Sequence, residues 1–511
     1  MAGRHGKSVF GTNKRIRLGI WGLGRGMSFY KTCAAMNFDV VAGCDFNEHM
    51  RTNFLNANPG AFATDDAEKF LAYDIDAVLL ATFCPSHADD AIRCLNAGKH
   101  VLSEVTSFHT MAEGVRLVEA VAKSGLVYNL AENYPFTKPN MYLAAKWKEG
   151  LFGDLMYAEY EYIHECRSLC YTYIDGLPVQ PGWTVHNWRS WLNFHYYNTH
   201  SLGPMMIITG TRPVRVSALP GHQRLAGYLM DAKDGMGGIT PSLINMSNGA
   251  VVRNLMGATT NDSHLQRLWG TKGAAEINNG LWLRLGGSGG SPKMQVEPEW
   301  PMLGEFASTM GHGGGDFWVL YYFARQILTG ESAPFDIYAA ADCTIPGLLA
   351  FRSSQEGGKP FDVPDFRKRK ERDHYRHDNY AQPRYDAKKG CFPVKADKKL
   401  TGEFSTVIKA LIDHAVRSRS YFDWTSVIGE TKEPGKVLEI ACALAANYPE
   451  MITVMGKARK LADAYPGSDG ARVLEEMLAL GEEKRVTGTG FLSALKRRMS
   501  VLGRKYHIQH V

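Results

Sequence analysis

Residues 15–45 constrain the chain more than any other stretch. They begin Arg-Ile-Arg-Leu-Gly-Ile-Trp-Gly-Leu-Gly-Arg-Gly-Met-Ser and end Val-Val-Ala-Gly-Cys-Asp. Ile16, Leu18 and Ile20 form an apolar run that reads as a buried strand, and Gly22, Gly24 and Gly26 stop it. A helix is expected next, then a second apolar strand, Val40-Val41-Ala42, closing on Asp45. Strand, glycine turn, helix, strand and acid in that order make a dinucleotide site. Gly22 permits the tight turn, and Gly24 lets the backbone approach a pyrophosphate. The turn residues Gly22, Leu23, Gly24, Arg25 and Gly26 are the expected cofactor contacts, with helix N–H groups facing the phosphates. Asp45 falls where a carboxylate binds the adenosine ribose and repels a 2′-phosphate, so the expected cofactor is NAD. The usual spacing puts a third glycine at 27, but Met27 stands there and Gly26 comes one residue early.

The alternation continues. Asp76–Thr82 reads as a buried strand, and Pro85, Ser86 and His87 form the loop at its carboxyl end, where open α/β sheets bind ligands. Residues 88–98 are expected to be helical and 100–104 a strand. A helix over 110–124 with Gly125 as its cap follows, and then a strand over 127–130 leading to Glu132-Asn133-Tyr134. This completes a nucleotide domain over 15–135, with Thr82, His87 and Glu104 bordering the cofactor. Nine cysteines are scattered without a CxxC pair, which argues against a disulfide framework and a structural zinc site. A net charge of +6 over 511 residues does not call for nucleic acid. The first residues lack an apolar signal region, and no apolar run is long enough to span a bilayer. A reducing, cytoplasmic compartment is expected, with no membrane partner. A mature chain cut from a longer precursor would look the same.

Ala81-Thr82, the loop to His87 and Ala97-Gly98-Lys99-His100-Val101-Leu102-Ser103-Glu104 resemble the Gfo/Idh/MocA family of NAD(P)-dependent oxidoreductases. The resemblance runs to about residue 366. Leu151-Phe152-Gly153-Asp154-Leu155 and Leu268-Trp269-Gly270-Thr271-Lys272-Gly273-Ala274-Ala275-Glu276-Ile277 are similar to that family's second domain. The resemblance implies a second, α+β domain over 136–366, with an open, mostly antiparallel sheet backed by helices. Alternating runs at 155–165, 243–256 and 265–285 fit it. The family's dehydrogenases usually read Glu-Lys-Pro, with the lysine as acid/base partner, where this chain has Glu104-Val105-Thr106. They also carry Asp four residues before a His, whereas Tyr196 precedes His200 here. Val105 cannot transfer a proton, so a plain alcohol dehydrogenase would be hard to run.

The NAD-dependent glycosidases, glycoside hydrolase family 109, are the more similar branch. They replace Glu-Lys-Pro by Glu-Val-Pro and share four further runs. Here these are Glu132-Asn133, Tyr162-Ile163-His164-Glu165-Cys166-Arg167, Tyr197-Asn198-Thr199-His200-Ser201-Leu202-Gly203-Pro204 and His312-Gly313-Gly314-Gly315-Asp316-Phe317. Departures are Thr106, Ser201 and an insert rich in Trp and Tyr at 171–195. The resemblance implies transient oxidation at C3 of a sugar, loss of the C2 proton, elimination at C1, water addition and return of the hydride. Such a site needs His and Tyr proton carriers rather than the paired carboxylates of ordinary glycosidases. Tyr197, His200, His164 and Glu132 are the expected catalytic residues. Arg167, Trp188, Arg189, His312 and Asp316 are expected on the substrate. Each has a bland alternative. Tyr197 and His200 could fill core, and His164 and Arg167 could end a strand. Glu132 and Asp316 could cap helices, His312 could pack, and His87 could be structural. Trp183, Trp188, Arg189 and Trp191 form either a sugar-stacking wall or core.

Residues 367–401 read as a basic linker and 402–511 as an all-α appendage punctuated by Pro434, Pro449, Pro466 and Gly467. A homo-oligomer is expected. Three functions remain: an NAD-dependent glycosidase, a sugar or cyclitol dehydrogenase using His200 or His164, and a catalytically silent NAD or sugar sensor. The missing lysine and aspartate weigh against the second, and the retained His and Tyr residues weigh against the third.

Overall fold

Six short, mostly apolar runs make a parallel sheet whose central strands are buried on both faces, as near-continuous hydrophobicity requires. In the computed structural model they are β1 (Ile16–Trp21), β2 (Phe38–Cys44), β3 (Phe62–Thr64), β4 (Ala77–Leu80), β5 (His100–Ser103) and β6 (Tyr128–Leu130). Their order is β3-β2-β1-β4-β5-β6, all parallel, the doubly wound arrangement. The structure describes residues 8–171, 188–231, 233–382 and 398–508. Helices His87–Asn96 and Met111–Ser124 connect the later strands. Thr110 and Glu113 cap the second of these reciprocally, and Gly125 ends it in the left-handed region.

The second sheet runs β7 (Leu155–Ile163), β8 (Pro213–Ala218), β9 (Ile239–Met246), β10 (Val251–Gly257), β11 (Gln266–Gly270), β12 (Gly273–Ile277), β13 (Leu281–Leu285), β14 (Lys293–Val296) and β15 (Phe361–Asp362). In space the order is β14-β13-β12-β11-β7-β10-β9-β8-β15. Only β7 and β10 pair in parallel; the other pairings are antiparallel. Helix Thr199–Thr209 is apolar almost all round and correspondingly buried. Both sheets fall in one compact unit, Met1–Glu165, Leu192–Gln223 and Met230–Pro383. Segments far apart in sequence fasten that unit. Leu130 N–H donates to Phe335 O (3.0 Å), and Asn129 Nδ2 donates to Gln326 Oε1 (3.0 Å).

Residues 367–382 are not a solvated linker. Arg367 donates to Asp342 (2.7 Å), Arg376 to Glu119 (2.9 Å) and the Gln382 N–H to Tyr196 Oη (2.8 Å). The sequence showed the basic residues without the acids that meet them. Of the rest of the expected linker, 383–397 lie outside the described residues, and 398–401 belong to the helix Lys398–Ser426 rather than to a linker.

A second unit comprises Cys166–Trp191, Arg224–Leu229 and Arg384–Val511. Its helices are Lys398–Ser426, Pro434–Ala446, Tyr448–Ala464, Asp469–Glu483 and Phe491–Lys505. Two insert segments pack into it. Ser405 Oγ donates to Tyr171 O (2.8 Å), and Gly227 N–H donates to Glu476 (3.2 Å). Among the described residues, no single helix is long and apolar enough to cross a membrane, and no His/Cys/Asp/Glu group could hold a metal ion.

His195 lies in the turn Phe194–Tyr197, fully buried, with neither ring nitrogen paired. Burial pushes its imidazole down to about 3. The unfolded chain takes up this proton below about pH 6.5, and the folded chain does so only near the lower value. From neutral pH the protein should lose stability on acidification through that window, by about 1.4 kcal/mol per pH unit from this residue. Denaturant unfolding at several pH values should show the slope flattened by that amount in His195→Leu; an unchanged slope would contradict the assignment.

Candidate functional site

The glycine turn is built by close approach. Gly22 has φ +95°, and a Cβ there would lie 2.1 Å from Ala81 O, so the turn is wedged against the end of β4. A Cβ on Gly26 would lie 2.4 Å from Ile20 Cγ2. Gly26 therefore lets the following turn settle on β1, which is the packing role of the missing glycine at 27. Gly24 is exposed, leaving bare backbone. Asp45 accepts the Leu23 N–H (2.8 Å) and the Asn47 N–H (2.9 Å), tying the end of β2 to the turn. Burial raises its pKa above the ordinary carboxylate value, against the pull of those N–H groups. An exposed glycine turn beside a carboxylate at the β2 terminus fits a dinucleotide. The remaining expected cofactor residues line the same edge. Thr82 donates its hydroxyl to Asp90 (2.8 Å). His87 sits between the Thr106 (3.0 Å) and Thr82 (3.3 Å) carbonyls, and burial lowers its pKa.

Arg25 leaves the turn sideways. Its Nε donates to Glu104 (2.8 Å), and Nη1 and Nη2 clasp Asp316 at 2.9 and 2.7 Å. Asp316 opens helix Gly315–Thr329, is 1% exposed, and also accepts from Asn133 Nδ2 (2.9 Å) and His312 Nδ1 (3.0 Å). Burial alone would raise its pKa, but the His312 and Arg25 hydrogen bonds hold it well below the usual carboxylate range. Asp316 is thus the anchor of a four-residue knot.

A further carboxylate of this edge is Glu132, 0% exposed, just beyond β6. His200 Nδ1 lies 2.9 and 3.0 Å from its two oxygens, and Tyr134 N–H donates to it (3.2 Å). A buried carboxylate accepts, so Nδ1 carries the proton and Nε2 is left for chemistry. Tyr197 meets the His200 ring edge-on, with centroids 4.7 Å apart; Tyr134 and Tyr162 each lie at 4.8 Å. Burial pushes the Tyr134 hydroxyl upward. Tyr134 also approaches His312 (6.1 Å), so contacts run unbroken from the glycine turn through Arg25, Asp316, His312 and Tyr134 to His200. His164 lies beside Tyr162 (5.9 Å) and bonds Asp262 (2.9 Å).

The sequence reading missed Tyr134, Tyr162, Asn133, Asp262 and His264 as site residues. For Tyr162 a signal existed, since Tyr162 and His164 alternate on one face of a strand. Three residues expected on the substrate lie in the second unit. Arg167 is buried there and donates to Ala226 O (3.2 Å), and the Arg189 guanidinium stands 4.4 Å from the Trp188 ring. Trp191 is fully buried in that unit, and Trp183 lies outside the described residues.

Residues 16–132 match the oxidoreductase family model with an NAD-binding Rossmann fold, and residues 295–372 match the C-terminal domain of glycosyl hydrolase 109. A glycosyl hydrolase family 109 protein of Saccharopolyspora erythraea is 28% identical over 407 residues, 70% of this chain and 84% of its own. An alpha-N-acetylgalactosaminidase of Tannerella forsythia is 26% identical over 338 residues, 57% of this chain and 71% of its own. In solved structures, levoglucosan dehydrogenase in complex with NADH and levoglucosan superposes with TM-score 0.54 at 18% identity, covering 69% of this chain and 100% of that one. The N-terminal domain is thus an NAD-binding Rossmann domain similar to that of the oxidoreductase family. Over most of its length the chain is similar to glycosyl hydrolase family 109 proteins.

A Cβ on Gly203 would come within 2.9 Å of Glu132 Cγ. Gly203 lies inside helix Thr199–Thr209, where alanine would otherwise add about 1 kcal/mol. Gly203→Ala should instead destabilise by about 1–3 kcal/mol through the collision and depress turnover. A more stable, fully active Gly203→Ala protein would show that the glycine does not seat the carboxylate.

Proposed function

We propose that the chain is an NAD-dependent glycosidase. It oxidises C3 of a bound sugar transiently, removes the C2 proton, eliminates the C1 substituent, adds water and re-reduces C3. The observation that carries this reading is the buried Glu132–His200 pair ringed by Tyr134, Tyr162 and Tyr197, beside a cofactor edge where Val105 replaces the usual lysine. NAD, when bound, supplies a hydride acceptor that returns the hydride within the same turnover. The turn Gly22–Gly26 and Asp45 hold it, and Thr82, His87 and Glu104 border its nicotinamide end. Glu132 orients His200, whose Nε2 exchanges a proton with the C3 hydroxyl. Tyr197 and Tyr162, packed on that imidazole, serve the C2 proton. Asp316 and His312 set the position of Arg25 and Tyr134 around the sugar. Substrate roles for Arg167, Trp188 and Arg189 rest on the sequence alone.

In this scheme residues 15–135 bind cofactor, 136–366 bind substrate and 402–511 serve assembly. A homo-oligomer draws support from Leu243 and Trp269, exposed on the face of the second sheet that also carries Glu159 and Tyr157 by strand register. A cytoplasmic enzyme draws support from the scatter of its nine cysteines, none of them in a CxxC pair.

The test is a panel of aryl glycosides, beginning with 4-nitrophenyl N-acetyl-α-galactosaminide, read at the phenol and NADH absorbance bands. Expected are cleavage without net NADH, no cleavage of a 3-O-methyl substrate, and NAD released when the purified protein is denatured. Accumulating NADH with no cleavage would make the protein a sugar dehydrogenase instead.

A further inference from the structure

Two carboxylate–histidine pairs accompany Glu132–His200: His312–Asp316, whose carboxylate is also clasped by Arg25, and His164–Asp262, in which both side chains reach solvent. The His164 and Asp262 side chains are 28% and 51% exposed, against 5% and 0% for His200 and Glu132. Backbone pairing fixes the rim pair. Ile163 and Ser263 exchange N–H···O bonds (2.9 and 2.8 Å), and His164 N–H donates to Gly257 O (3.0 Å). The loop after β10 is thereby zipped to the end of β7. Asp262 Oδ1 accepts both His164 Nδ1 (2.9 Å) and the Glu165 N–H (2.6 Å). Against partial burial, these two bonds hold the Asp262 carboxyl below its ordinary range. Nδ1 is thus committed to Asp262, and Nε2 remains for substrate. His264 stacks on Tyr162 at 5.1 Å and 17°, continuing the aromatic wall from Tyr162 to the rim.

Depth decides what each pair can reach. A sugar whose C3 meets the cofactor edge lies deep, against His200. Its C1 substituent must then point outward, because the aglycone needs room that the buried end does not offer. Glu132–His200 therefore cannot serve both ends of the ring. We infer that His164, positioned by Asp262, is the acid that protonates the departing C1 oxygen and afterwards the base that activates water. This rests on the glycosidase reading above.

The base takes the C2 proton, and the C2–H electron pair becomes the C1–C2 double bond. The C1–O pair departs with the oxygen, which takes the Nε2 proton of a His164 imidazolium. Neutral His164 then removes a proton from water as hydroxide adds at C1, and the C1–C2 pair recaptures a proton at C2. His164 ends as the imidazolium it began as, with Asp262 ionised throughout. An unpaired imidazole at the rim would lack the stabilising charge, which makes Asp262 the positioning residue.

The test compares 4-nitrophenyl, phenyl and methyl N-acetyl-α-galactosaminides, or the same aglycones on another sugar the wild type cleaves. Nitrophenolate leaves without a proton, whereas methoxide does not. His164→Gln should lower kcat/KM for the methyl glycoside by about a hundredfold or more, and for the nitrophenyl glycoside by less than about tenfold. Asp262→Asn, at an exposed position, should give the same ranking with smaller losses. Both should retain NAD and the NADH band raised by the free sugar, since that half of the cycle belongs to Glu132–His200. Equal losses on all three aglycones, or loss of the free-sugar band, would overturn the assignment and leave the pair a loop staple. A wild type that cleaves none of the panel defeats the glycosidase reading itself, and this assignment with it.

Discussion

The Glu132 carboxylate, wholly removed from water, sets the terms for the rest of the site. A buried charge of that kind needs charge-assisted hydrogen bonds, and removing its partner typically costs about 3–5 kcal/mol. His200 and the Tyr134 N–H supply those bonds. Glu132 and His200 come from different parts of the fold, the one from the edge of the parallel sheet and the other from helix Thr199–Thr209. Satisfying the carboxylate therefore locks the second sheet's helix onto the cofactor domain. The same bond fixes the imidazole tautomer, so one constraint serves stability and proton transfer together. Gly203 is the geometric condition for it, because a Cβ there would collide with the Glu132 side chain at Cγ.

Asp316 repeats the logic on the cofactor side. Arg25 belongs to the glycine turn, yet its guanidinium is spent on Glu104 and Asp316 rather than left free for phosphate. Arg25 therefore works as a clasp between the nucleotide turn and helix Gly315–Thr329. The pyrophosphate is left to the exposed backbone of Gly24 and its neighbours. Through His312 and Tyr134 the clasp continues to His200. A cofactor seated in this turn and a sugar seated on this imidazole thus share one continuous set of contacts, as a cycle that takes and returns the same hydride requires.

Much of the cofactor domain was legible because its determinants are local. Gly22, Gly24 and Asp45 lie within one strand–turn–strand unit, and the helix over 111–124 announces itself by its cap residues. The displaced glycine was visible too, but only the Ile20 side chain beneath Gly26 explains why it suffices. What stayed hidden depends on distance along the chain. Arg25 and Asp316 are 291 residues apart, and His164 and Asp262 are 98 apart. No periodicity links such positions. Asp262 and His264 sit in an exposed loop whose composition is that of any turn, and strand pairing alone brings them to the site. The basic run after residue 366 misled for the same reason, since charges read alone look solvated until Asp342 and Glu119 appear opposite them.

The C2 and C3 hydrogens of the sugar have different fates in this mechanism. Cleavage by way of a C3 ketone makes the C2 proton exchangeable, whereas the C3 hydrogen leaves and returns as a hydride shielded from water. Turnover of a cleaved glycoside in heavy water, with the released sugar analysed by NMR, reads both positions at once. The expected product carries deuterium at C2 and its original hydrogen at C3. Cleavage that leaves C2 unlabelled would contradict the mechanism, whatever the sugar proves to be.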